Sequence, residues 1–155
     1  MSTAFFANVG LFSDVAWTHA ASSFALWGFC VVYLCLVVAI VTQRAVLTVT
    51  GERKADEFPA TGESGSAFSY RLHRAHANMY ENFPLWGVLL LAIATDQTTV
   101  TDGLALYCLG ARIGQVTTHL ISTSERAVQI RFGFFIVQLG IVGYWLVQFG
   151  ILWLG

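Results

Sequence analysis

Two long runs without a charged side chain constrain this sequence more than any motif. Between Asp14 and Arg44 lie 29 positions with no Asp, Glu, Lys or Arg, and Phe132 to Gly155 adds 24 more. About 20 apolar residues in a helix are enough to cross ~30 Å of hydrocarbon. A soluble domain carries roughly 25% charged residues, whereas only 11% of these 155 residues are charged and 56% are hydrophobic. So little charge would struggle to cover a soluble surface. The expected class is an all-α integral-membrane protein of one domain. A net charge of −1 gives no reason to expect nucleic acid as a partner.

The two clean runs predict transmembrane helices over about 22–48 and 128–153. The middle of the chain is less uniform. Asn82 to Thr95 is a charge-free run of only 14 residues. Extended back to about Ser69 it becomes one helix, 69–95, of about 40 Å at 1.5 Å per residue. Pro84 should kink it, because the missing N–H leaves the Tyr80 carbonyl unpaired. A further helix is expected over 100–123, after the polar turn "TDQTTVTDG". The segment 50–69 is rich in polar residues, with Gly, Ser and Pro, and predicts a cytoplasmic loop. The result is a four-helix bundle.

Seven of the eight basic residues fall in or beside the 1–2 and 3–4 connections; the eighth, Arg112, lies inside span 3. The positive-inside rule then places both termini on the non-cytoplasmic side of a multi-pass protein. The first 20 residues contain no Lys or Arg but include Asp14 and His19. A signal peptide needs a basic start, so a short amphipathic or irregular lead-in is expected instead. Cys30, Cys35 and Cys108 sit in apolar runs, odd in number and without metal-ligand spacing. They predict buried small hydrophobes, with no disulfide framework and no metal site.

Polar residues form stripes. At 100° per residue Arg74, Asn78 and Glu81 (i, i+4, i+7) share one helix face, and Arg71 and Asn82 border it within about 100° of arc. His73 and His76 point elsewhere and predict interfacial surface groups. In span 3, Arg112, Gln115 and His119 repeat at i, i+3 and i+7. A charge in the middle of a span costs ~2.5–3.5 kcal/mol on insertion scales. Arg112 must therefore meet a partner, a cavity or a ligand, and Glu81 is the expected protein partner. In span 4, Arg131, Gln138 and Trp145 share a face, while Gly133, Gly140 and Gly143, like Gly110 and Gly114 of span 3, would permit close helix contact.

A site near the cytoplasmic boundary would thus offer the guanidiniums of Arg44, Arg71, Arg74 and Arg131, the carboxylate of Glu81 and the amides of Asn78 and Asn82. Guanidiniums fork onto carboxylates, and a carboxylate takes an ammonium. The set suits a small zwitterion with more than one carboxylate. An apolar second substrate could enter from the surrounding lipid.

The stretch "RAHANMYENFP" resembles the signature of the MAPEG family, the membrane-associated proteins of eicosanoid and glutathione metabolism. Arg74, Asn78, Glu81, Phe83 and Pro84 match the family spacing. "VTQRAV" looks like the basic end of the family's first helix, and "QIRFGFFIVQLG" like its Arg-led fourth helix. The resemblance covers about residues 22–153 and looks most like a bacterial-type member, which implies a bacterial inner membrane. It also implies a homotrimer binding glutathione between neighbouring subunits. It implies Arg74 on a glutathione carboxylate, Asn78 and Glu81 at the γ-glutamyl end, and Arg44 and His119 as further contacts. Arg71, Asn82 and Arg112 join these as candidate ligand-binding residues. Arg131 would sit beside the sulfur as the catalytic residue. A free thiol has a pKa of about 8.5 and is only a few per cent thiolate at neutral pH; a guanidinium beside it raises that fraction, and the thiolate is the nucleophile. The expected activity is that of a glutathione transferase or peroxidase acting on a lipophilic electrophile or hydroperoxide. Some relatives place Tyr or Ser next to this Arg, whereas here Phe132, Gly133, Phe134 and Phe135 follow. The competing expectation is a non-catalytic lipid- or glutathione-binding adaptor on the same scaffold.

Overall fold

The computed structural model describes residues 20–59 and 66–155. The expected lead-in, the signal-peptide question and the centre of the 50–69 loop lie outside the described residues. Among those described there are five α-helices and no strand: α1 (Ala20–Val49), α2 (Ala67–Glu81), α3 (Phe83–Ala94), α4 (Asp102–Ile121) and α5 (Glu125–Leu154). Short 3-10 turns occupy Ala55–Glu57 and Thr98–Val100. Helices α1 and α5 are each long and apolar enough to cross a membrane.

The helix ends follow from local chemistry. Ser66 and Ser124 cap α2 and α5, accepting hydrogen bonds from the backbone N–H groups of Ser69 and Ala127. Beyond α1, Gly51 adopts a left-handed φ of 75° and its N–H returns to the Thr48 carbonyl. Helix α3 closes in a Schellman arrangement: Asp96 has φ 56°, its N–H reaches Ile93 O at 3.3 Å, and Gln97 N–H reaches Ala92 O at 2.8 Å.

The segment expected as one helix, 69–95, is two helices meeting at Asn82. Pro84 has no N–H and its ring opposes the carbonyl of residue 80, so the first helix cannot run through. Pro is well placed instead in the first turn of a new helix, and α3 begins that way. Asn82 bridges the break: its backbone N–H and its Nδ2 both donate to the Asn78 carbonyl, at 3.3 and 2.7 Å.

Near the start of α1, Ser22 contributes both its N–H (2.9 Å) and its Oγ (2.7 Å) to Oδ1 of Asp102, the first residue of α4. This joins the starts of two parallel helices and sets a carboxylate against the positive end of α1. Helix α4 packs against α5, α1 and α2, so it is the central helix among the described residues. The core runs from Phe29 and Leu36 of α1 through Met79, Trp86, Leu89 and Cys108 to Trp145 and Phe149. Of the cysteines expected inside, only Cys108 is buried; Cys30 and Cys35 lie on the outward face of α1. Among the glycines, Gly114 is the contact point between α4 and α5. A Cβ there would meet the Phe134 ring at 2.6–2.9 Å, while at Gly110, Gly133, Gly140 and Gly143 it would meet nothing within 4 Å.

Candidate functional site

The α2–α3 break, the end of α4 and the start of α5 converge on one cleft. Its walls are Asn78, Asn82, Gln115, His119, Val128, Arg131, Phe132 and Phe135, and it measures about 280 Å³. Helical periodicity explains the α5 wall, because 128, 131, 132 and 135 (i, i+3, i+4, i+7) project from one side. One half is polar and one half apolar. Such a cleft can hold a charged ligand against Arg131 while an apolar group lies on the phenylalanines.

Arg131 lies against His119: Nη1 donates to Nδ1 at 2.8 Å. The two residues are 12 apart in sequence, on either side of the short α4–α5 connection. Arg74 and Arg112 also act electrostatically on His119. The region therefore has several positive charges around one cleft, as a site for an anion needs.

Behind the cleft, Gln138 Nε2 donates to Gln115 Oε1 at 3.0 Å and to the Phe134 carbonyl at 2.9 Å. This pair keeps α4 and α5 in register next to Gly114. Arg112 is fully buried and donates from Nη1 to Asn78 Oδ1 at 2.9 Å. Its guanidinium carbon lies 5.8 Å from the Phe29 ring centre, a cation–π contact. The expected Arg112–Glu81 ion pair does not form. Glu81 is exposed and makes no ion pair among the described residues. The reason is rotational: Arg112 meets the side of α2 on which Asn78 points inward, and Glu81 lies 60° around the helix from it.

The stripe of Arg74, Asn78 and Glu81 therefore divides. Asn78, with Asn82, lines the cleft; Arg74 and Glu81 are exposed and do not line it. Arg71 turns its Nε to the Leu120 carbonyl at 2.8 Å, holding the end of α4. Arg44 is separate from the cleft. It lines a small pocket with Gln43, Ser69, His73 and Phe58, and its Nη2 lies 3.4 Å from His73 Nε2. His73 and His76, expected at the surface, are both half-buried: His73 Nδ1 is 2.9 Å from the Ser69 carbonyl, and His76 stacks on Tyr33 with ring centres 5.1 Å apart.

The residues not chosen from sequence are Val128, Phe132 and Phe135 of the apolar wall and Gln115 of the polar one. The α5 spacing around Arg131 was the available signal for the first three. For Gln115 it was the i+3 relation to Arg112.

Comparison with known proteins gives one match. Residues 21–151 fit the model of the MAPEG family. No curated protein matches the chain, and no solved structure does.

Proposed function

We propose that this chain, which belongs to the MAPEG family, is a membrane-embedded glutathione transferase or peroxidase. It would stabilise glutathione as the thiolate for attack on a lipophilic electrophile or hydroperoxide. The observation that carries the proposal is the cleft lined by Arg131, with Asn78 and Asn82 on one wall and Phe132 and Phe135 on another. A guanidinium lining a partly apolar cleft favours the thiolate over the thiol, because the attraction is less screened there than in water. The apolar wall suits the second substrate.

The remaining roles are part of the same proposal. Arg74 takes a glutathione carboxylate. Asn78, Asn82 and Glu81 take the γ-glutamyl end, Glu81 through its amine. Arg44, Arg71 and His119 are further contacts. Arg112 acts through Asn78, fixing the amide that faces the ligand. Arg74 and Glu81 stand exposed on a single subunit, which supports a homotrimer in which a neighbour covers them and completes the site. Four spans, formed by α1, by α2 with α3, by α4 and by α5, would place both termini outside the cytoplasm of a bacterial inner membrane.

The test uses detergent-purified protein and added glutathione at neutral pH. Native protein should develop thiolate absorbance and the Arg131→Ala variant should bind glutathione without it. Absence of glutathione binding by the native protein would refute the proposal. Binding with no thiolate in either protein would favour a lipid- or glutathione-presenting adaptor, a reading that the hydroxyl-free wall of Phe132 and Phe135 supports.

A further inference from the structure

The contact between Arg131 and His119 determines more than proximity. A guanidinium has five N–H donors and no acceptor. The 2.8 Å contact from Arg131 Nη1 to His119 Nδ1 is therefore a hydrogen bond only if Nδ1 carries no proton. The single proton of the neutral ring must then sit on Nε2, since the bond made by one ring nitrogen sets the state of the other. No described residue takes up Nε2, and His119 lines the cleft.

The electrostatics strengthen this donor. A carboxylate bonded to Nδ1–H makes an imidazole a better base. Here the arrangement is reversed: a cation donates into Nδ1 and withdraws charge from the ring. Hydrogen bonds in such a chain polarise one another, so Nε2–H becomes a stronger donor. The apolar wall does not compete for that role. Val128, Phe132 and Phe135 have no polar side-chain atom. On the polar wall, one N–H of Asn82 Nδ2 is bonded to the Asn78 carbonyl, which leaves its second N–H. Asn78 and Gln115 retain amide N–H groups, but among the described residues Arg131 bonds to His119 and to neither of them.

We infer that His119, locked by Arg131 as the Nε2–H tautomer, donates its Nε2–H to the sulfur of the bound thiolate and replaces the hydroxyl that this cleft lacks. The inference rests on the proposal that the cleft binds glutathione. It assigns Arg131 two functions, cationic partner of the sulfur and orienter of a second donor. No bond forms or breaks in this step; the proton stays on Nε2.

The experiment has two readouts. The first is the nitrogen spectrum of histidine-labelled protein in micelles, without glutathione. His119 should show an unprotonated Nδ1 and a protonated Nε2, and Arg131→Ala should give mixed tautomers. A protonated Nδ1 in the native protein overturns the lock. The second readout is thiolate absorbance per bound glutathione in His119→Phe and His119→Gln. A hydrogen bond to a charged group is worth about 1.5–3 kcal/mol, so His119→Phe should lose roughly tenfold or more of the thiolate per bound glutathione. His119→Gln, with an N–H at a similar reach, should recover part of it. Unchanged thiolate in His119→Phe overturns the donor role. If native protein binds no glutathione, the proposed function fails and the sulfur contact with it, while the nitrogen spectrum still decides the tautomer independently.

Discussion

Arg112 and Asn78 tie α4 to α2: a fully buried guanidinium is bonded at 2.9 Å to a neutral amide, one turn from a carboxylate it does not use. The Nε and Nη2 of Arg112 have no hydrogen-bond partner among the described residues, so this one bond and the Phe29 ring are the main compensation for burying the charge. Removing one partner of such a contact costs more than removing the charge itself.

That asymmetry gives the first prediction. Asn78→Leu should lower stability by about 2–3 kcal/mol, because it leaves the buried guanidinium without a hydrogen bond. Arg112→Met, which removes the charge and keeps most of the volume, should cost clearly less. Thermal unfolding of both variants in detergent, without ligand, makes the comparison. The reverse order would mean that Arg112 is neutralised by something other than Asn78.

A second prediction concerns Gly114. Its missing Cβ makes room for the Phe134 ring. Gly114→Ala should destabilise by about 1–3 kcal/mol through overpacking, and Phe134→Leu should restore part of the loss when combined with it. Gly110→Ala, where the added Cβ meets nothing within 4 Å, should be neutral or stabilise α4 by up to about 1 kcal/mol. Similar losses at both glycines would show that the notch under Phe134 is not what holds α4 against α5.

Glu81 separates binding from folding. It is exposed and makes no ion pair among the described residues, so Glu81→Gln should leave the melting temperature without ligand nearly unchanged. Under the proposed function it should weaken glutathione binding roughly tenfold, the effect of one lost charged hydrogen bond. Calorimetric titration with glutathione measures this. Unaltered affinity would remove Glu81 from the site.

The join between α1 and α4 can be tested away from the cleft. Asp102→Ala deletes the acceptor for both donors of Ser22 and should cost about 1–2 kcal/mol, the scale of a lost helix cap. Asp102→Asn keeps an acceptor oxygen and should cost less. If Asp102→Ala proves silent in thermal unfolding, the starts of the two helices are held together by packing alone.

The helical content of this chain was legible in its sequence because long charge-free runs and 3.6-residue periodicity are local properties. The shared face of Arg74, Asn78 and Glu81 was legible for the same reason, as was the motif that led to the family. The apolar wall was within reach too, since Val128, Phe132 and Phe135 follow Arg131's own helical spacing. Other features were not local. Pro84 announced an interruption, yet the break falls at Asn82, where a side-chain and a backbone N–H converge on one carbonyl. Whether Arg112 meets Glu81 or Asn78 depends on the rotation of α2 against α4, which a 60° change would reverse. The Arg131–His119 contact depends on how the α4–α5 connection turns, and on the notch at Gly114 that lets the two helices approach. Sequence determined which residues share a helix face, because the period of one helix is set by its own backbone. Only the tertiary structure decided which of those faces meet, because that is set by packing between helices far apart in the chain.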